Sequence, residues 1–335
     1  MINIKLVEKN PEILKQSLMK RNSDLKVVDK MIELNHLRKE KIGKADELKA
    51  KRNSISKEFG KRKKNNEDTR DLSAQIDQIK TDLEVFDQEL NQVQAKLDEL
   101  LLTTPNILDN DVPEGKTENE NVEIKKSGSP KEFSHKVKSH WELGEELDII
   151  DLKRGAKITG SRFYVLKREG ALLERALINF FLDLYSEKGY QEIMPPVMVN
   201  SKTMTGTGQL PKFEDDLFKI QDSDYYLIPT AEVPVTNLYA GEVLKNDQVP
   251  QYFCSFTSCF RKEAGSYGKD TRGIIRVHQF NKVELVKLST PEQSEEEHQN
   301  LLNDACQALE LLGIPYRVVL LCSGDTSFSA QKCYD

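Results

Sequence analysis

From Leu72 onward the apolar residues fall at Leu72, Ile76, Ile79, Leu83, Phe86, Leu90, Val93, Leu97 and Leu100, in alternating steps of four and three. A seam of that period, held over about four heptads, specifies a long helix that must lie against another helix. Upstream, Met31, Leu34, Ala45, Leu48, Ile55 and Phe59 keep the same period, although Arg38, Lys41 and Arg52 interrupt it. Between the two runs, "GKRKKNNED" breaks both patterns and predicts a turn. The expectation is an antiparallel α-helical coiled-coil hairpin. A helix from residue 31 to residue 59 spans roughly 40 Å at ~1.5 Å per residue, long enough to act as an arm.

Charge divides along this hairpin. Residues 30 to 64 hold 13 basic and 5 acidic residues, whereas residues 67 to 102 hold 3 basic and 10 acidic. Attraction between the two helices accounts for part of the division. It does not account for Lys61, Arg62, Lys63 and Lys64, which crowd at the tip where no heptad partner neutralises them all. A contact with an RNA backbone and a simply solvated tip both fit this cluster.

The chain is otherwise acidic, with 49 Lys and Arg against 55 Asp and Glu, a net charge of -6 over 335 residues. That balance argues against indiscriminate binding to DNA or an anionic membrane, so any basic surface is local. The start, "MINIKLVEKN", lacks the apolar core of a secretory signal, and nothing downstream approaches the ~18 apolar residues of a membrane span. The reading is a cytoplasmic chain. Five cysteines form no CxxC pair, and Cys254 and Cys259 fall on opposite faces of any regular strand, which disfavours a structural zinc site.

Residues 101 to 135, rich in Pro, Gly, Ser and charge, read as a linker with partial order at best. Beyond it the pattern is α+β. "EGALLERALINFFLDLYSEKGY" places Leu172, Leu173, Ala176, Leu177, Phe180, Phe181 and Leu184 on one helical face, with Gly189 suited to the helix end. "QEIMPPVMVN" and "DYYLIPTAEVPV" read as short extended runs. "QYFCSFTSCF" and "GIIRVHQFNKVELVKL" read as long strands of an antiparallel pair joined by a wide polar loop, followed by a helix in "PEQSEEEHQNLLNDACQALELLG" and a strand in "YRVVLL".

Alternation along those strands gathers chemistry on one face. Arg276, Phe280 and Glu284 fall together, with Ile275, Val277, Val283 and Leu285 opposite; Arg261 and Glu263 are co-facial, as are Thr230 and Glu232. Arginine forks suit phosphate oxygens, an aromatic ring suits a nucleobase and carboxylates suit an ammonium group. The same residues also fit a structural Arg–Glu ladder with Phe280 in a core. His278 lacks the serine and acid partners of a triad, and "TGTGQ" lacks the Lys-Ser/Thr of a P-loop, so it reads as a lid.

These segments, with "IKLVEKNPEILKQSLMKR", "ITGSRFYVL", "GYQEIMPPVMV", "TGTGQLPKF", "PTAEVPVTN", "FRKEAGSYGKDTRGIIRVHQFNKVE" and "SGDTSFSAQKCYD", resemble bacterial seryl-tRNA synthetases, which are class II aminoacyl-tRNA synthetases. The resemblance implies a tRNA-binding arm at 1–104, a linker at 105–135 and a catalytic domain at 136–335. That domain would hold a six- to seven-stranded antiparallel sheet flanked by helices. The implied partners are serine tRNA, ATP, L-serine and a second copy, the last meeting the chain around Pro195 and Pro196. It puts Arg261, Lys262, Glu263, Arg276, Val277 and Phe280 at ATP, with both arginines on phosphate, Glu263 near the adenine and Phe280 stacked on it. Thr230, Ala231, Glu232 and Glu284 would receive serine, and Lys61 to Lys64 the tRNA. Mg2+ is expected with ATP. The family's third motif and a metal-binding acid would lie beyond Asp335, which leaves the sheet an unpaired edge. The implied function is serine–tRNA ligation; the alternative is a tRNA-binding relative that does not activate serine.

Overall fold

The computed structural model describes residues 2–264 and 272–335. The loop expected between the long strands includes residues 265–271, which lie outside the described residues. Contacts divide the chain into two units. One runs to Val122 and includes Leu320–Cys333; the other is Glu123–Val319 with Tyr334–Asp335.

The first unit contains the hairpin, with helices at Lys26–Lys64 and Arg70–Thr103. Leu72, Ile79, Leu83, Val93 and Leu97 are buried along the seam, and Ala45, Leu48 and Ile55 meet Ile79 and Leu83 from the facing helix. At the base, Leu97 joins Val7, Leu14, Leu18, Val28 and Met31. Two of the polar interruptions prove to be cross-helix contacts: Lys41 pairs with Glu89 at 2.5 Å, and Arg38 donates to Gln94 at 3.4 Å and to buried Asn35 at 3.0 Å.

The turn is shorter than expected. "GKRKK" is helical, and the connection begins only at Asn65. The reason is the C-terminal cap: Asn66 takes φ 57°, while Glu67 N–H donates to Arg62 O and Asn66 N–H to Lys63 O. This pairing satisfies carbonyls of the final turn, and its basic residues suit the negative end of the helix dipole.

The expected linker is also more ordered than its composition suggests. Leu108 and Val112 are buried, and Val122–Ser127 is a strand paired with Tyr316–Leu320. Leu320–Cys333 is tied into the first unit by Arg21, whose guanidinium donates to the carbonyls of Thr326 (2.9 Å), Ser327 (3.3 Å) and Ala330 (2.9 Å). Ser323 adds a bond to Lys20 O at 2.7 Å.

In the second unit, Gln251–Phe260 and Gln279–Leu288 pair antiparallel over ten residues, from Gln251 opposite Leu288 to Phe260 opposite Gln279. Gln191–Glu192 adds a short parallel strand on the far side of Gln251–Phe260. The implied six- to seven-stranded sheet is thus represented by three strands, and among the described residues nothing pairs with the outer edge of Gln279–Leu288. "GIIRVH" is not strand: the ladder begins at Gln279, so Ile275, expected to pack, is 69% exposed.

Opposed residues of an antiparallel pair share a face. Cys254, Tyr252, Val283 and Leu285 face the helices Arg168–Glu187 and Ser294–Leu311, packing with Phe181, Leu182, Tyr185, Tyr190 and Ala308. Leu172 and Leu173 do not join this core and are exposed, because only the C-terminal half of their helix reaches it. The opposite sheet face carries Cys259, Thr257, Ser255, Phe280, Lys282 and Glu284.

The helix side holds a buried charge network. Lys287 bonds Glu297 at 2.8 Å and lies 4.3 Å from the Tyr252 ring centre, while Tyr252 donates to Glu297 at 2.6 Å. Lys188 and Tyr190 hold Asp304 at 2.5 and 2.6 Å. The bond to Glu297 pushes the Tyr252 phenol up to about 12. Lys287→Ala leaves these carboxylates short of a cation, and the expected loss is about 3 kcal/mol in denaturant unfolding. A loss near zero would show that the network is not held by Lys287.

Candidate active site

Backbone coupling assembles the functional face. Phe260 N–H donates to Ile228 O at 2.8 Å and Arg261 N–H to His278 O at 2.9 Å, so three segments converge where the long strands end. Asp216 braces the next residues, its carbonyl accepting from Lys262 N–H and its carboxylate from Ala264 N–H, both at 2.8 Å.

Arg261 and Glu263 do not share a strand face, because the strand stops at Phe260 and Glu263 takes φ 54°. They meet by a different route. Arg261 Nε donates to Pro229 O at 3.2 Å, which fixes the plane of its fork, and its guanidinium carbon lies 5.3 Å from the Phe280 ring centre. Glu263 turns to Arg276, with a 2.6 Å ion pair.

Arg261, Glu263 and Arg276 line two adjoining cavities. One, of about 360 Å3, is completed by Gln209, Phe213, Asp216, Leu217, Pro229 and Thr230. The other, of about 430 Å3, is completed by Ile274, Ile275, Val277 and Phe280. Lys262 lies 5.9 Å from the Phe218 ring centre and lines neither. Val277 is buried.

Thr230 and Glu232 likewise share no strand. The strand Tyr225–Leu227 ends before them, and Glu232–Thr236 is a short helix. Thr230, itself buried, accepts from Glu232 N–H at 3.3 Å and donates to Glu284 at 2.8 Å. Lys282 donates to Thr230 at 2.9 Å and pairs with Glu284. Ala231 is fully buried and lines neither cavity. The carboxyl of Glu232 has surface open to water, yet desolvation by surrounding protein, then the charge of Glu284, push its pKa above the ordinary glutamate value.

Sequence reasoning missed Lys282, although period two places it with Phe280 and Glu284. It also missed Gln209, Phe213 and Asp216. The "TGTGQ" stretch, expected to be a lid, is anchored on its two sides by buried Met204 and Leu210 in a core with Tyr226, Ile228 and Val233, and its Gln209 forms part of a cavity wall. At the hairpin tip, Arg62 pairs with Asp71 at 3.2 Å and Glu58 at 3.5 Å. Lys61, Lys63 and Lys64 are exposed and make no ion pair among the described residues.

An arginine-lined double cavity at the end of an antiparallel strand pair, with no Gly-rich phosphate loop among the described residues that line it, fits a class II aminoacyl-tRNA synthetase. Residues 212–335 match the family described as the tRNA synthetase class II core domain (G, H, P, S and T), and residues 1–108 the seryl-tRNA synthetase N-terminal domain. The chain is 51% identical to the serine–tRNA ligase of Carboxydothermus hydrogenoformans, covering 100% of this chain and 79% of the relative. For that of Staphylococcus haemolyticus the identity is 46%, covering 100% and 78%. The structure of seryl-tRNA synthetase from Pyrococcus horikoshii complexed with ATP superposes with a TM-score of 0.89 at 39% identity, covering 100% of this chain and 80% of that one. The chain belongs to the seryl-tRNA synthetase family.

Glu232 supplies a test of the site's electrostatics. Its raised pKa means that the ionised form costs stability in the free chain at neutral pH, a cost relieved as pH falls through the raised value. A carboxyl-carbon NMR titration is expected to find Glu232 protonating above an ordinary glutamate, with Glu284→Gln bringing it down. A normal titration would refute the crowding described here.

Proposed function

We propose that the chain activates L-serine with ATP and transfers it to the 3' end of serine tRNA. The observation that carries this reading is the convergence of Arg261 and Arg276 on cavities that also hold Phe280 on one side and Thr230 on the other. A nucleotide lies with its base against Phe280 and its α-phosphate at Arg261, whose fork is already oriented by Pro229. Arg276 gives up the Glu263 carboxylate for a phosphate, which frees Glu263 to accept from the adenine amino group. Val277 contributes to this wall, and Lys262 stands behind it, between Arg261 and Glu263.

Serine occupies the Thr230 side. Glu232 receives the ammonium, and Glu284, held by Thr230 and Lys282, orients the polar groups with Ala231 backbone beneath. The serine carboxylate attacks the α-phosphorus as the bond to pyrophosphate breaks, giving seryl-adenylate. A terminal ribose hydroxyl of the tRNA then takes the acyl group and AMP leaves. Guanidinium groups fixed beforehand stabilise the charge gathering on the α-phosphate. A site built around hydrogen bonds to a hydroxyl rejects alanine by leaving those groups unpaired.

Among the described residues no three His, Cys, Asp or Glu side chains gather as a metal cage. An Mg2+ ion arriving with ATP would take its ligands mainly from phosphate oxygens and water. The unpaired lysines of the tip suit an RNA backbone read by shape. Met194 at 84% exposure, with Val197 and Met198 beside Pro195 and Pro196, supports a homodimer through that segment.

Arg261→Ala is expected to slow serine-dependent ATP–pyrophosphate exchange by about 10²–10³. Exchange at the wild-type rate would sink the proposal. Replacing Lys61, Lys63 and Lys64 with alanine is expected to weaken serine tRNA binding and lower the slope of log affinity against log salt by about 2 to 3. An unchanged slope would remove the tip from the interface.

A further inference from the structure

We infer that His140 is a positioning residue for nucleotide binding: it anchors the backbone that carries Arg276. The inference rests on the functional reading above only for the identity of the ligand.

The geometry begins at Gly273. This residue has φ 80°, and a Cβ placed there would stand 2.0 Å from His140 Nε2, 2.4 Å from His140 Cε1 and 3.0 Å from Trp141 Cε3. Glycine is required twice over, by its backbone angle and by the ring pressed against it. The next residue makes the contact that fixes the pair, since Ile274 N–H donates to His140 Nε2 at 2.9 Å. That bond specifies Nε2 as the acceptor, and so the tautomer protonated on Nδ1.

His140 is itself held. It opens the helix His140–Glu146, whose capping box joins Ser139 and Glu142, and it meets the Trp141 ring edge-on with centroids 5.0 Å apart.

Among the described residues, the backbone between Ile274 and His278 donates no other hydrogen bond to a neighbouring segment. Ile275 points to solvent, and the Arg276 guanidinium, 38% exposed, touches protein through its ion pair with Glu263. Past Arg276, Val277 is buried and His278 N–H donates to Arg162 O at 3.1 Å. Arg276 therefore sits between two backbone clamps, one of them His140. Losing the first lets the guanidinium swing from the cavity just when a nucleotide requires it to leave Glu263. Pre-placement of that kind affects ligand affinity more than fold stability.

The test measures ATP affinity by calorimetric titration without serine, together with KM for ATP and for serine in exchange. His140→Ala is expected to weaken ATP roughly tenfold, the value of one hydrogen bond, with KM for serine unchanged. His140→Gln, whose amide oxygen reaches the place of Nε2, is expected to recover most of the loss. Thermal melts of both variants check that they fold alike. Unaltered ATP affinity in His140→Ala, equal losses in the Gln and Ala variants, or matching rises in both KM values would each overturn the inference. A wild-type chain that binds ATP without serine-dependent exchange would instead refute the functional reading and leave this test intact.

Discussion

The ten-residue ladder between Gln251–Phe260 and Gln279–Leu288 is the constraint from which the second unit follows. Because paired residues share a face, its register decides at once that Cys254 and Leu285 meet the helices and that Cys259, Phe280 and Glu284 meet the ligand cavities. A slip by one residue would exchange those sets and place Glu284 in the aromatic core. The register is protected from both sides, by apolar packing against Tyr185 and Tyr190 and by the Lys287 network at one end of the ladder. At the other end the same ladder runs out between Arg261 and His278, where regular pairing gives way to the irregular backbone that binding requires.

The site is built where alternation fails. Glu263 in a left-handed conformation, Thr230 accepting from the first N–H of a short helix and Gly273 against an imidazole all turn the backbone in ways a continued strand would not allow. Such geometry is costly unless its surroundings over-determine it. Here Asp216 accepts from the backbone donors on either side of Glu263, and His140 and Arg162 hold the two sides of Arg276. Rigidity of the scaffold is spent on the few residues that must be placed before a ligand arrives.

This division also explains what could be read from the sequence. The heptad seam and the two-residue period along the second long strand are signals of regular structure, and they located the hairpin and the shared face of Phe280 and Glu284. Lys282 carries the same signal, since period two places it between Phe280 and Glu284 on that face. Arg261 with Glu263, and Thr230 with Glu232, do not share the strand face that alternation predicts, since neither pair lies on a strand. Ile275 was misplaced because alternation was extended past the start of the ladder. Gln209 and Phe213 fall in a stretch whose glycines suggest a lid rather than a wall, and Asp216 and His140 carry no local signal; tertiary contact brings all four to the site. At the tip, Gly60 and the run of charge read as a breaker, whereas a left-handed Asn66 and a favourable dipole allow the helix to continue through Lys64.

The clasp of Arg21 on Thr326, Ser327 and Ala330 has a practical meaning for dissecting this chain. A fragment cut after the first helical unit would carry an arginine shaped to grip three carbonyls that had been left behind on the other piece. Folding modules and sequence segments do not coincide here, and an excised arm would need residues 320–333 supplied as a separate peptide to rebuild its own base.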